Sequence, residues 1–189
     1  MPTLYLRVPE ERLGVLIGSR GVTRSEIERR TSARVTVDND TGEVTVQSDD
    51  GQPMAALKAR DVVWAIGRGF SPTRAYRLLE DDTYLGVIDI KAATGRREKA
   101  ALWRIRSRLI GTDGKARARV EELSGCSMSV FGNTVALIGK EEQLTRATRA
   151  VGLLLRGSEH SVVFRLLARL RREDALTEAL QPDPIADEE

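Results

Sequence analysis

Between Thr3 and Val8 the apolar Leu4, Leu6 and Val8 alternate with Thr3, Tyr5 and Arg7, the two-residue period of a strand with one buried face. "PEERLGVLIG" follows as a short helix opened by Pro9, interrupted by a glycine loop from Gly18 to Gly21. Thr23, with Glu26 three residues on, predicts a capping box for a second helix that turns Ile27 inward. "ARVTVD" and "EVTVQS" are strands joined by the turn "NDTG", and a helix from about Pro53 to Arg68 ends at Gly69 with Pro72 beyond. The order is β-α-α-β-β-α.

The same order returns further along. Strand "YLGVIDI" leads into helix "REKAALWRIRSRLIG", a loop from Gly111 to Gly114, a helix to about Ser124, strands "SMSVF" and "TVALIG", and a helix from Glu141 to Arg156 before Gly157. At an offset of 93 residues, Leu16-Ile17-Gly18 falls on Leu109-Ile110-Gly111. Gly21 falls on Gly114, Arg24 on Arg117, Ile27 on Val120, Glu28 on Glu121 and Val37 on Val130. Two copies make a tandem pair rather than a solenoid. The pattern divides the chain into 1–82, a first unit whose "GFSPTRAYRLLEDDT" forms a connecting helix, and 83–157, a second unit. An amphipathic helix over 158–180 and an acidic, proline-broken tail over 181–189 complete it. Units of roughly 80 residues are marginal alone, so the two are expected to pack as a rigid pair.

Charge changes the picture locally. The net charge is only +2, but Lys91 to Arg119 holds ten basic residues against Glu98 and Asp113, while the tail is acidic. Only five of the 30 basic residues are lysine, and arginine suits bidentate phosphate contacts and stacking on bases. The same excess also suits ion-pair networks at high temperature. A lone cysteine, Cys126, excludes an intramolecular disulfide framework and is expected to be core packing; no Cys/His spacing suits zinc. Early charges and the lack of a long apolar run argue against a signal peptide or membrane span, so a cytoplasmic protein is expected. Trp64 and Trp103, on helices among apolar neighbours, are expected to fill cores. His160, at a helix start, is expected in a cap or interface rather than in catalysis. "GTDGK" lacks the spacing of a P-loop, and no paired carboxylates, triad or metal cluster accompanies the loops, so an enzyme is not expected.

A glycine loop between two helices leaves free N–H groups at the start of the second helix and lets a phosphate approach the backbone. A groove between that helix pair and a three-stranded sheet suits unstacked bases. The pattern "LIGSRGxxxxxI" within β-α-α-β-β-α resembles the type I K-homology (KH) domain, whose signature is I-G-x-x-G between two helices. The resemblance implies an α+β fold of two tandem KH domains, each with a three-stranded antiparallel sheet against helices, followed by an extra C-terminal helix. It also implies that single-stranded RNA or DNA is held with GxxG on the backbone and bases in the groove.

"AIGRGFSP", "LIGTDGKAR", "LSGCSMSVFGNTVALIG" and "RGSEHSVVFRLL" are similar to archaeal tandem-KH proteins related to the eukaryotic "partner of Nob one" assembly factor. That likeness implies small-subunit biogenesis at the 3′ region of 16S-type ribosomal RNA. The implied partners are the Nob-one endonuclease and the alpha subunit of translation initiation factor two. The candidate RNA contacts are Gly18, Ser19, Arg20, Gly21, Arg24 and Ile27 in the first copy. In the second they are Gly111, Thr112, Asp113, Gly114, Lys115, Arg117 and Val120, joined by Arg104 and Arg108 of the basic helix. Arg24 and Arg117 stand where the KH pattern has an aliphatic residue, and Asp113 puts a negative charge in the loop, so an electrostatic groove is expected. The second copy is expected to dominate. A protein-binding scaffold with inert loops, and a KH regulator unconnected with ribosomes, remain the alternative readings.

Overall fold

The computed structural model describes residues 3–49 and 52–180; the acidic tail expected at 181–189 lies outside the described residues. The first repeat runs β1 (Thr3–Arg7), α1 (Glu10–Ile17), a 3-10 turn, α2 (Val22–Thr31), β2 (Arg34–Val37), β3 (Glu43–Gln47) and α3 (Pro53–Gly67). Its sheet is antiparallel, in the order β1-β3-β2, with Leu4 opposite Val46 and Val35 opposite Val46 on the other side. Alternation does what it predicts here. Val35, Val44 and Val46 are buried on the helices, while Tyr5, Arg7, Arg34 and Thr36 face water.

The link holds a short helix α4 (Pro72–Ala75), started by Ser71, whose hydroxyl accepts from the Arg74 N–H, and a 3-10 turn over Tyr76–Leu79. The second repeat runs β4 (Tyr84–Asp89), α5 (Ile90–Thr94), α6 (Lys99–Ile110), α7 (Lys115–Ser124), β5 (Ser127–Phe131), β6 (Thr134–Gly139) and α8 (Glu141–Leu155); α9 (His160–Leu180) follows. Its sheet has the order β4-β6-β5 and is antiparallel. Helix α5 is not anticipated by hydrophobic period. Its start is set by the Asp89 carboxylate, which accepts from the Ala92 N–H at 2.9 Å, and its end by Gly95 at φ 65°.

All six residues of β6 are buried. Val135 and Leu137 face their own helices and join a core with Met128, Val120 and Leu154. Ala136 and Ile138, on the opposite face, join the first repeat's core with Ile66, Phe70 and Leu78; Leu85 and Val87 of β4 pack there too. The back of the second sheet is therefore covered by α3 and the link. Fully burying one aliphatic side chain of this kind contributes about 1.5–3 kcal/mol.

Polar contacts then fix the register of this seam. The Arg74 guanidinium pairs with the half-buried Glu121 carboxylate, Arg77 donates to the Ser127 hydroxyl at 2.8 Å, and the Ser129 hydroxyl donates to the Arg68 carbonyl at 3.0 Å. Arg12 of α1 donates to the Ile66 and Phe70 carbonyls at 2.8 and 2.6 Å and lies 5.7 Å from the Phe131 ring centre. A part-exposed ion pair such as Arg74–Glu121 is worth at most about 1 kcal/mol, so apolar burial holds the repeats together.

Gly69 is where the seam is tightest. It has φ 98°, and a Cβ there would stand 2.6 Å from the Ser129 hydroxyl oxygen and 2.8 Å from the Phe131 Cβ. Gly69→Ala therefore combines backbone strain with overpacking, a loss of about 2–4 kcal/mol, and thermal melting should show a lower Tm than wild type. An unchanged Tm would mean that the seam yields freely. The buried Cys126 thiol, pushed up to about 11 by burial, should resist a disulfide reagent at pH 8 in the folded chain and react once denaturant is added.

Candidate nucleic-acid interface

The two glycine loops are superimposable in backbone angles. Gly18 and Gly111 have φ 75° and 73°, Arg20 and Asp113 both 52°, and Gly21 and Gly114 79° and 74°. The first glycine of each loop is fixed by space as well as by φ. A Cβ on Gly18 would meet the Thr23 backbone nitrogen at 2.7 Å, and one on Gly111 the Ala116 nitrogen at 2.8 Å. The second glycine faces open space, so only its φ disfavours a side chain.

Helices α2 and α7 both start at a glycine, with no side chain capping their first N–H groups. The capping box expected from Thr23 and Glu26 does not form. Thr23 is already inside α2 and packs beneath Gly18, while the Glu26 carboxylate takes hydrogen bonds from Arg29 and Arg30 that hold it down at about 2. An uncapped, open helix start is what a phosphate needs, since the N–H groups and the positive end of the dipole remain available.

The repeated glutamate has a structural task. Glu28 accepts from the Val35 N–H at 2.8 Å and Glu121 from the Met128 N–H at 2.6 Å, so each ties the helix after the loop to the facing strand. In the second repeat this sets α6, the loop and α7 against β5 and the β5–β6 turn, the two sides of the groove that the KH pattern implies. Arg106 of α6 spans it, donating to the Gly132 carbonyl of that turn at 3.0 Å.

Most of the expected loop residues lie at the surface of their own repeat. Gly18, Gly21, Gly111 and Gly114 are half-buried, and Ser19, Arg20, Arg24, Thr112, Asp113 and Lys115 are exposed. Arg117 is half-buried, its Nε–H turned inward without a partner among the described residues. The remaining four expected contacts need correction. Ile27 and Val120 are fully buried and support the loops from the core, because the inward face of α2 and α7 is the one that packs on the sheet. Arg108 points to the end of α8, donating to the Gly157 and Ser158 carbonyls, and its own carbonyl lies 2.9 Å from His160 Nε2. Arg104, on the same flank, lines a depression with Arg96 and Arg156 rather than the groove. Trp103, expected in the core, is 64% exposed.

Asp113 has a conformational reason. Its φ/ψ of 52°/26° is left-handed, a region that Asp and Asn enter more readily than other non-glycine residues. Arg20 holds the same angles in the first loop, so the geometry accepts a base as well.

The two halves of the chain match KH models separately. A KH-domain model covers residues 3–63, and one described as eukaryotic type KH-domain (KH-domain type I) covers residues 84–172. A KH domain-containing protein of Methanocaldococcus jannaschii is 41% identical over 170 residues, 89% of this chain and 74% of that protein. The crystal structure of Dim2p from Pyrococcus horikoshii is 46% identical with a TM-score of 0.84, over 89% of this chain and 99% of that one. A crystal structure of an a/eIF2alpha–aDim2p–rRNA complex from the same organism contains a chain 45% identical, with a TM-score of 0.85, over 91% of this chain and 95% of that one.

Two substitutions test the groove's electrostatics without touching a glycine. Asp113→Arg should tighten single-stranded RNA binding by about three- to tenfold and steepen its salt dependence by about one contact, as titrations at several salt concentrations would show. Arg117→Leu should keep the fold and make the slope shallower by about one contact. If both titrations retrace the wild-type curve, this loop does not carry the RNA.

Proposed function

The chain belongs to the archaeal family of tandem KH-domain RNA-binding proteins that includes Dim2p, counterpart of the eukaryotic partner of Nob one, and from that membership we propose a role in small ribosomal subunit assembly. Its task there is to hold the 3′ region of 16S-type ribosomal RNA as a single strand for maturation, without cutting it. The observation that carries this reading is the second repeat's loop: an uncapped helix start with Lys115 and Arg117 beside it, tied to the facing strand β5 by Glu121. The related chain in the a/eIF2alpha–aDim2p–rRNA complex supports rRNA as the ligand and the initiation-factor subunit as a partner. The Nob-one endonuclease is the second proposed partner, since a non-catalytic RNA holder needs an enzyme to present its substrate to. Among the described residues no helix is long and apolar enough to cross a membrane, and no group of three acidic, histidine or cysteine side chains is placed to hold a metal. The proposed setting is the cytoplasm.

Binding by the two repeats is proposed to be unequal. The residues of α1 aligned with Trp103 and Arg104 are Glu10 and Glu11, and Arg29 and Arg30 of α2 share the one Glu26 carboxylate, which offsets one of their two charges. The first loop thus offers Arg20 and Arg24 against a more acidic surround.

Fluorescence anisotropy with a labelled oligomer of the rRNA 3′ region tests this. A single strand should bind with a log K against log salt slope of about −0.7 per phosphate neutralised, and its duplex should bind less tightly. Lys115→Glu should weaken binding more than Arg20→Glu, and the RNA should stay intact with or without chelator. Equal affinity for the duplex, or RNA cleavage by the purified chain, would sink the reading.

A further inference from the structure

Trp103 is the unexplained residue of the second repeat. It is 64% exposed, whereas aromatic rings of this size normally hide most of their surface or sit at an interface. Its place on α6 is informative. With 3.6 residues per turn, Lys99, Trp103, Arg106 and Ile110 share one face, and Ile110 leads directly into Gly111 of the loop. Arg106 on that face reaches the β5–β6 turn, so the face borders the groove. Trp103 stands eight residues before Gly111, about 12 Å along the helix from the loop.

The surround of the ring is cationic. Lys99 is exposed beside it and Arg96, Arg97 and Arg104 lie around the start of α6, with no ion-pair partner for any of them among the described residues and with Glu98 as the nearby acid. About 100° further round α6 from Trp103, Arg104 lines a depression of about 460 Å³ together with Arg96 and Arg156, with no acidic side chain in its wall. An exposed ring next to a row of free bases is the pairing that single-stranded nucleic acid uses, bases on the ring and phosphates on the cations. The first repeat has no counterpart, since Glu10 occupies the aligned position.

We infer that the RNA path of the second repeat continues beyond its groove across the exposed face of α6, with a nucleobase stacked on Trp103 and the phosphates that follow drawn to Arg96, Arg104 and Arg156. This inference rests on the groove reading above and extends it: the groove holds a short core of nucleotides, and Trp103 adds affinity only for strands long enough to reach it. It also gives Arg104, which lies away from the groove, a ligand of the same chemistry.

The chain contains two tryptophans, so Trp64→Phe leaves Trp103 as the sole tryptophan reporter. In that background, a ten-nucleotide single-stranded RNA should quench the emission, and a four-nucleotide RNA that fills only the groove should not. The ten-mer should bind more tightly, and Trp103→Ala should cost it about 5-fold to 100-fold in affinity while leaving the four-mer unchanged. Trp103→Phe should retain most of the ten-mer affinity. Arg104→Ala with Arg156→Ala should lower ten-mer affinity at low salt and spare the four-mer. Ten-mer binding that leaves the emission unchanged and is indifferent to Trp103→Ala, with Lys115→Glu still weakening both RNAs, would overturn the extended path and leave the groove reading intact. Binding of both RNAs indifferent to Lys115→Glu would overturn the two together.

Discussion

The architecture depends on one strand that has no wet side. Because β6 sends Val135 and Leu137 into one core and Ala136 and Ile138 into the other, neither repeat can complete its packing without it. In the first repeat the matching strand β3 buries Val44 and Val46 and leaves Glu43, Thr45 and Gln47 less buried, as an antiparallel sheet with one free face does. Duplication alone therefore does not account for the molecule. One copy has become the inner layer of a larger body, and its sheet has changed from alternating to continuously apolar.

That seam also shapes the site. The far wall of the second groove is β5, and β5 is what the first repeat holds: Ser129 by the Arg68 carbonyl, Phe131 by Arg12 and Gly69, Ser127 by Arg77. Glu121 links the near wall to the same network, since its carboxylate takes both the Met128 N–H and the Arg74 guanidinium. The placement of β5 beside α7 is thus set by contacts that cross between repeats, which ties the candidate interface to the packing of the two repeats.

Much of the fold was legible because the two copies reinforce one another. A single glycine pair is ambiguous, but the aligned Leu16/Leu109 and Ile27/Val120 pairs mark the same inward faces, and both are buried. The seam was less legible, although the unbroken "TVALIG" beside the alternating "EVTVQS" is the signal of a strand covered on both sides. In the site, the loops could be located by spacing, whereas the direction of each arginine could not. Arg106 and Arg108 are two residues apart on α6, so they point some 160° apart around the helix axis, one to the groove and the other to the end of α8. Charge counting treats them alike. The exposed Trp103 was missed for the same reason, since apolar neighbours in sequence are not neighbours on a helix face.

The doubly covered strand carries a consequence for the spacing of the two glycine loops. Loops on separate, tethered domains could slide together or apart to suit a ligand. Here both are mounted on cores that share the one strand β6, like the locked jaws of a caliper. A strand that touches both must bend to the gap it is offered, and the conformation of the RNA, rather than that of the protein, becomes the adjustable quantity.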